Sequence, residues 1–195
     1  MTGRGLAPTI VKTTYLELRS AEGIVSARRP ADATLVRAEI PSPDLNRFFY
    51  TAVGSDWFWR DRLPWAWSDW HRHLARPGYE TWYATVRGTP AGYFELDGTA
   101  PPDVEIAYFG LLPEFTGRGL GGWLLEQAAR RGFEGYAAGG GRVWVHTCTL
   151  DGPTALANYL ARGFVAYRVE ESLMDLPSPP EEPWPGAARP SARAP

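Results

Sequence analysis

The sequence has few of the side chains from which disulfides, metal sites and nucleic-acid contacts are built. It contains 1 cysteine, Cys148, and 3 histidines in 195 residues. A single cysteine allows no internal disulfide, and so few thiol and imidazole groups make a metal site unexpected. Lys12 is the sole lysine beside 19 arginines, which are scattered along the chain and balanced by 22 acidic residues. Nucleic acid is therefore not an expected partner.

Long apolar runs are also missing. No stretch approaches the roughly 20 consecutive apolar residues that are needed to span a bilayer. The first residues, MTGRGLAPTIVKTTYLELRS, lack the basic-then-apolar order of a secretory signal. From these two features we expect no membrane association and a cytoplasmic location.

The apolar content that is present suits one globular domain. Hydrophobic residues make up 44% of the chain, and a chain of this length can bury a sizeable core. Seven of the 18 prolines lie in residues 177–195, where apolar side chains are almost absent. We therefore predict a domain over residues 1–176 and a flexible, proline-rich C-terminal tail over residues 177–195. Trp184 in that tail is either a stray exposed ring or an anchor for another chain.

The spacing of apolar residues predicts the element order β, α, α, β, β, β, α, β, α, β, which is a mixed sheet with helices packed on its faces. The predicted segments are the strand TIVKTTYLELRS, a helix capped by Ser42 or Asp44, a helix over about 68–75, the hairpin strands TWYATVR and AGYFELD joined at Gly88-Thr89-Pro90, the strand VEIAYFGLL, a helix beginning near Leu120, the strand GGGRVWVHTCTL, a helix with Pro153 in its first turn and Gly163 past its end, and the strand FVAYRVEESLMDL.

The segment PEFTGRGLGG joins a predicted strand to a predicted helix and is rich in glycine. Glycines lack the Cβ atoms that would keep a ligand from the backbone, and the N-terminus of the following helix presents unpaired N–H groups. This arrangement predicts a pyrophosphate cradle, with an ordinary glycine-rich turn as the alternative. No Lys-Ser/Thr follows the glycines, and Arg142 and Val143 stand where a dinucleotide fingerprint would place an acidic residue.

Two motifs in this region resemble those of the GNAT superfamily of acyl-CoA-dependent N-acyltransferases. Residues Thr116-Gly117-Arg118-Gly119-Leu120-Gly121 follow that superfamily's Gln/Arg-x-x-Gly-x-Gly/Ala loop, except that Thr116 replaces Gln or Arg. Ala155, Tyr159, Gly163 and Phe164 match its second cofactor segment. The resemblance covers residues 80–175 well and residues 10–75 in element order alone.

The resemblance implies a single GNAT-like α/β domain, with a mixed, mostly antiparallel central sheet, a splayed strand pair and helices on both faces. Acetyl-CoA or another acyl-CoA would be the co-substrate, with no metal. A bulge at Gly110 is expected in the strand before the loop. The cofactor-binding residues that the resemblance implies are Leu111, Leu112, Thr116, Gly117, Arg118, Gly119, Leu120, Gly121 and Gly122.

The chemistry that the resemblance implies is attack of an amine on a thioester, which a base and an acid assist. Glu105 matches the position of a base glutamate in the histone-acetyltransferase branch, and its alternative role is a rim carboxylate paired with an arginine. Glu95 is the substitute base. Tyr159 matches the tyrosine that protonates the CoA sulfur, and its alternative role is an aromatic of the helix face.

The acceptor side of the site is less defined. Five of the 9 tryptophans fall in residues 57–70, where they either wall an acceptor pocket or cover the sheet. Trp57, Trp59 and His146 are the candidate acceptor contacts. We expect a small-molecule primary amine as the acceptor, and the chain could form a homodimer. The alternatives are an acyl-CoA-binding sensor or scaffold without turnover, and transfer to an alcohol or from a longer acyl donor.

Overall fold

The computed structural model describes residues 8–176 of the chain. The predicted tail, with Trp184, lies outside the described residues. Within them the model has seven strands and four α-helices. In chain order these are β1 (Thr9–Leu18), β2 (Ala33–Ala38), α1 (Pro43–Gly54), α2 (Trp67–Leu74), β3 (Tyr79–Val86), β4 (Thr89–Asp97), β5 (Val104–Leu111), α3 (Leu120–Gly135), β6 (Val143–Cys148), α4 (Ala155–Ala161) and β7 (Val165–Met174).

The strands form one sheet in the order β2-β3-β4-β5-β6-β1-β7. Every neighbouring pair is antiparallel except β5 and β6, which are parallel. Successive strand residues point to opposite faces, and Tyr93 packs with α1 whereas Phe94 packs with α3. Helices therefore cover both faces of the sheet, and the predicted single α/β domain is confirmed. None of the described helices is both long and apolar enough to cross a bilayer.

The strand β2 is missing from the predicted element order, so that order is wrong at this point. β2 is a six-residue edge strand that pairs only with β3. Ala33 is its one buried residue, because an edge strand at the surface needs few apolar side chains. A strand with so little burial lacks the alternation by which sequence patterns reveal strands.

The other elements follow their local signals closely. Ser42 caps α1, because its Oγ accepts a hydrogen bond from the Leu45 amide at 3.3 Å. The hairpin of β3 and β4 turns at Arg87 and Gly88, with φ of 52° and 83°. Positive φ at both central residues suits a two-residue hairpin turn, so the turn is tighter than the predicted Gly88-Thr89-Pro90.

The parallel pair β5 and β6 is joined over a very short length. Only Val104–Val143 and Glu105–Trp144 are in register, and beyond them the two strands separate. The splayed pair expected from the family resemblance is therefore present, and it opens directly after Glu105. This gap is the main irregularity of an otherwise continuous sheet.

The predicted bulge at Gly110 is wrong. The pairing of β5 with β4 shifts between Glu95 and Leu96, which face Tyr108 and Ile106, so that Ala107 is the extra residue. Gly110 has a different role, because a Cβ at this position would collide with Cγ1 of Val53 on α1. The glycine allows α1 to lie close against the sheet.

Candidate functional site

The glycine loop connects β5 to α3 at the edge of the gap between β5 and β6. Gly117 and Gly119 have φ of 72° and 76°, a left-handed conformation that side chains disfavour, and Gly119 is the N-cap of α3. A Cβ at either position would meet no atom within 4 Å, so the loop backbone is open to a ligand. The first N–H groups of α3 have no partner within the helix, as at any helix start. These features fit the anionic part of an acyl-CoA.

Two of the residues expected to touch the cofactor already have internal partners. The Thr116 hydroxyl donates to the Pro113 carbonyl at 2.8 Å, so it is engaged within the loop. The Leu112 amide donates to the Ala91 carbonyl at 2.9 Å, and the Leu112 carbonyl accepts from Phe115 at 2.9 Å. Leu112 therefore has no free N–H for a cofactor, and a contact through its carbonyl or side chain stays a prediction. Leu111 remains a prediction.

Tyr159 lies on α4 and reaches β5 across the gap. Its ring centroid is 6.1 Å from that of Phe109 on β5 and 6.0 Å from that of Phe164. The side chain is buried, and burial raises the pKa of Tyr159 above its ordinary value, with a further contribution from Asp151. The hydroxyl is therefore protonated at neutral pH, which is the state that a proton donor needs.

Glu105 and His146 meet at the point where β5 and β6 separate. Glu105 Oε1 lies 3.3 Å from His146 Nδ1, and the Glu105 side chain is 23% exposed. The hydrogen bond to Glu105 raises the pKa of His146 against the opposing effect of burial. The partner of Glu105 is therefore a histidine rather than the arginine considered as the alternative. The two candidate residues, one expected as a base and one at the acceptor side, form a single pair.

Glu95 occupies a very different environment. Its carboxylate is fully buried and accepts hydrogen bonds from Arg62 Nη1 at 2.7 Å, Asn46 Nδ2 at 2.7 Å and the Tyr79 hydroxyl. No acceptor amine can reach a carboxylate enclosed in this way. Glu95 as a substitute base is therefore wrong, and its role is structural.

The buried cluster around Glu95 includes residues that the sequence reading did not single out. The Arg62 guanidinium lies 4.2 Å from the centroid of the Tyr108 ring, and Asp61 accepts hydrogen bonds from the hydroxyls of Tyr50 and Tyr108. Burial and the neighbouring Arg62 and Arg76 lower the pKa of His73 to about 4, so this histidine is neutral. The signal was the alternation of Asp and Arg among the tryptophans in residues 56–62, since charged groups beside aromatic rings are buried only as pairs.

Four of the five tryptophans of residues 57–70 divide into two groups, and the fifth, Trp67, is exposed and stacks on His71. Trp59, Trp65 and Trp70 pack around the buried cluster, with Trp59 4.9 Å from Tyr108 and Trp65 5.3 Å from Trp70 between ring centroids. For these three, covering the sheet is a sufficient explanation. Trp57 instead lies against Gly152, so close that a Cβ there would be 3.3 Å from the indole ring.

The contact of Trp57 with Gly152 joins the α1–α2 connection to the loop that follows β6. That loop is held by Asp151, which accepts hydrogen bonds from the Thr147 hydroxyl at 2.7 Å and the Cys148 amide at 2.8 Å. Trp57 therefore lies against the loop that follows β6, the strand that separates from β5 beyond Trp144. Within residues 8–176, the structure holds no group of acidic, histidine and cysteine side chains that could bind a metal ion.

Comparison with known proteins agrees with this geometry. The family model described as "Acetyltransferase (GNAT) family" matches residues 43–164, which is more than half of the chain. No curated protein matches the sequence. A GCN5-related N-acetyltransferase from Kribbella flavida is 20% identical with a TM-score of 0.62, over 86% of this chain and 60% of that one.

Two further solved structures share the fold at low identity. A GCN5-related N-acetyltransferase from Sphaerobacter thermophilus is 16% identical with a TM-score of 0.61, over 87% of this chain and 53% of that one. An aminoglycoside acetyltransferase from an uncultured soil metagenomic sample is 13% identical with a TM-score of 0.54, over 67% of this chain and 87% of that one. The chain thus spans little more than half of the length of the first two proteins. The family model, the glycine loop and the splayed strand pair agree, and the chain belongs to the acetyltransferase (GNAT) family.

Proposed function

We propose that the protein transfers an acetyl or other acyl group from acyl-CoA to a primary amine of a small molecule by direct attack in a ternary complex. The observation that carries this proposal is the gap between β5 and β6, which opens at Glu105 and is bordered by the glycine loop and by Tyr159. A bound acyl-CoA supplies the thioester carbon that the amine attacks. The chain's own residues bind the two reactants and move the protons.

The backbone of the loop and of the start of α3 binds the anionic part of acyl-CoA. Residues 116–122 supply this surface, and its main donors are N–H groups rather than side chains. A loop that binds through its backbone tolerates threonine in place of the family's Gln or Arg at position 116. Leu111 ends β5, with its side chain near Gly121 at the start of α3, and is the remaining candidate for a backbone contact to the pantetheine arm.

Glu105 acts as the base and Tyr159 as the acid. An amine is protonated at neutral pH, and it attacks only after it loses a proton, which the Glu105 carboxylate accepts. The new N–C bond forms as the C–S bond breaks, and the departing sulfur takes the proton of the Tyr159 hydroxyl. The acylated nitrogen then releases its surplus proton, which restores the Tyr159 hydroxyl and leaves a neutral amide. The raised pKa keeps the Tyr159 hydroxyl protonated at neutral pH, and it also makes the hydroxyl a weaker acid toward the departing sulfur.

The acceptor amine enters on the side of Trp57 and His146. Indole rings attract cationic amines through their quadrupole, and a half-buried carboxylate at Glu105 favours the same charge. The aminoglycoside acetyltransferase among the similar structures takes a small-molecule acceptor by its name. A small amine is therefore the acceptor class that we favour over a longer polymer.

Thermal unfolding with acyl-CoA ligands tests the co-substrate. A ligand that binds only the folded protein raises the unfolding temperature, and the rise grows with the logarithm of the ligand concentration relative to its Kd. We expect acetyl-CoA, or a longer acyl-CoA in a series, to raise this temperature, and we expect acetate and pantothenate to leave it unchanged. A series in which no acyl-CoA shifts unfolding at saturating concentration would overturn the proposal.

A further inference from the structure

A cleft of about 550 Å³ opens beside the start of α3 and is lined by four arginines from three separate segments. Arg118 comes from the glycine loop, and Arg162 follows α4. Arg28 and Arg29 come from residues 24–31, which lie between β1 and β2 and are called the 24–31 segment below. Among residues 8–176, no acidic side chain lines this cleft.

The 24–31 segment is fastened across the first turns of α3. The Ala27 amide donates to Glu126 Oε2 at 2.7 Å, and the Val25 amide donates to the Arg162 carbonyl at 3.1 Å. Arg130 reinforces this attachment, because its Nε donates to Glu126 Oε1 at 2.9 Å and its Nη2 to the Ser26 hydroxyl at 3.2 Å. The backbone of the segment is therefore fixed beside the cleft before any ligand binds.

Two details show that the arginines are arranged for an anion. Arg29 Nη2 donates to the Ala33 carbonyl at 2.7 Å, which fixes the side chain at the wall of the cleft. Arg162 Nε is shielded from solvent and has no hydrogen-bond partner among the described residues. A buried cationic donor without a partner costs free energy, and an anionic ligand would offset that cost. The helix dipole of α3 adds positive potential at the same place.

The positive charge of this cleft exceeds what a pyrophosphate held by backbone N–H groups requires. Besides its pyrophosphate, CoA carries a 3′-phosphate on the ribose, and a phosphate monoester has a charge of about −1.5 to −2 at neutral pH. The planar guanidinium group matches phosphate oxygens in a bidentate manner. We infer that the cleft binds the 3′-phosphate of CoA through Arg28 and Arg29, with Arg118 and Arg162 beside them, and that the protein thereby selects CoA over its 3′-dephosphorylated form.

This inference rests on the proposed function, but its two principal residues, Arg28 and Arg29, lie outside the glycine-loop motif, which supplies Arg118 alone. The 24–31 segment lies before the residues that match the family model. Recognition of the 3′-phosphate through Arg28 and Arg29 would therefore depend on residues outside the matched range. Binding measurements can distinguish the two anionic groups of CoA, because dephospho-CoA keeps the pyrophosphate and lacks only the 3′-phosphate.

Isothermal titration of the full chain with CoA, dephospho-CoA and 3′,5′-ADP tests the inference. We expect CoA to bind at least about tenfold more tightly than dephospho-CoA, because dephospho-CoA lacks the charge-assisted hydrogen bonds of the 3′-phosphate. In Arg28→Gln and in Arg28→Gln/Arg29→Gln, CoA affinity should fall toward that of dephospho-CoA, while dephospho-CoA affinity stays within about twofold. We expect 3′,5′-ADP to compete with CoA in the wild type.

The matched control is Arg72→Gln, which removes the same charge from an exposed position on α2. It should keep the wild-type ratio of CoA to dephospho-CoA affinity. Equal affinities for these two ligands in the wild type would overturn the inference and leave the proposed function intact. If Arg28→Gln/Arg29→Gln keeps the wild-type ratio of CoA to dephospho-CoA affinity, the assignment to the 24–31 segment is overturned. A wild type that binds neither CoA nor acetyl-CoA would overturn the proposed function as well.

Discussion

Glu105 Oε1 lies 3.3 Å from His146 Nδ1. Glu105 and Trp144 are the last residues of β5 and β6 that are in register, so this contact lies where the two strands separate. This contact couples the charge of the imidazole to that of the carboxylate, because a carboxylate at this distance favours the protonated ring. The hydrogen bond accordingly raises the pKa of His146 above its ordinary value of 6.5. The protonation state at the apex of the β5–β6 gap therefore depends on both residues.

Glu105→Gln should lower the pKa of His146, because the substitution removes the negative charge that favours the imidazolium. The measurement is an NMR titration of the His146 ring in wild type and variant. His71, which lies on the exposed side of α2, provides the internal reference. An unchanged titration of His146 in the variant would show that the contact with Glu105 does not control its charge.

The same pair makes a pH-dependent contribution to stability. A raised folded-state pKa stabilises the fold fully below the ordinary pKa of His146, and this contribution is lost as the pH rises through the folded value. His146→Gln should therefore lower the free energy of unfolding more at pH 5.5 than at pH 8.5. Urea unfolding at both pH values measures the loss of unfolding free energy in the variant. An equal loss at pH 5.5 and pH 8.5 would contradict a stabilising role for the protonated His146.

Tyr159→Phe and Glu105→Gln should each lower the rate of acyl transfer by about a hundredfold, since each removes one proton-transfer group. Binding of acetyl-CoA should remain nearly unchanged, because neither side chain belongs to the loop that binds the phosphates. Steady-state rates and calorimetric affinities measure the two effects separately. Wild-type rates in both variants would remove the proposed acid and base.

Gly119→Ala should destabilise the protein by about 1 kcal/mol and weaken acetyl-CoA binding, because alanine disfavours the left-handed φ of 76° at this N-cap. Gly135→Ala is the matched control. It lies in the last turn of the same helix, where a Cβ meets no atom within 4 Å, and no positive φ is needed. Chemical unfolding and calorimetry measure both effects, and equal losses in the two variants would contradict this explanation.

Arg62→Met should lower the free energy of unfolding by about 3–5 kcal/mol, because it leaves the fully buried Glu95 carboxylate without its cation. The double variant Arg62→Met/Glu95→Leu should lose less than this single variant. Arg72→Gln, which breaks the exposed pair with Asp69, should cost less than about 1 kcal/mol. Urea denaturation ranks the three, and a double variant at least as unstable as Arg62→Met would refute the proposed pairing.

Trp57→Ala should raise the KM for the acceptor amine more than that for acetyl-CoA, because Trp57 lies against Gly152 in the loop that follows β6. Trp67→Ala removes an indole that is 60% exposed and stacked on His71. This variant should leave both KM values near those of the wild type. A larger rise in the KM for acetyl-CoA than for the amine would place Trp57 on the wrong side of the site.

The cofactor half of the fold could be predicted from the sequence because its signals are local. Gly119 ends a loop and begins a helix, and Gly163 follows α4 with a φ of 93°. Such positions are set by backbone conformation, which a sequence pattern records directly. The alternating strands β3 and β4 and the apolar stripe of α3 are local signals of the same kind.

The acceptor half depended on contacts between distant segments. Glu95 was a plausible base in the sequence, and only the fold brings Arg62 and Asn46 to its carboxylate. The tryptophans of residues 57–70 likewise look alike in the sequence, although Trp70 is buried and Trp57 lies against Gly152. No periodicity distinguishes these cases, because their partners lie more than 30 residues away or in loops.

Acyl transfer to an amine is tested most directly by the release of free CoA from acetyl-CoA, followed with a thiol reagent across a panel of small primary amines. We expect release that depends on the amine, that saturates with both substrates and that falls sharply in Tyr159→Phe. Binding of acetyl-CoA with no amine-dependent release, across amines and acyl chain lengths, would contradict acyl transfer and would favour a protein that senses acyl-CoA without turnover.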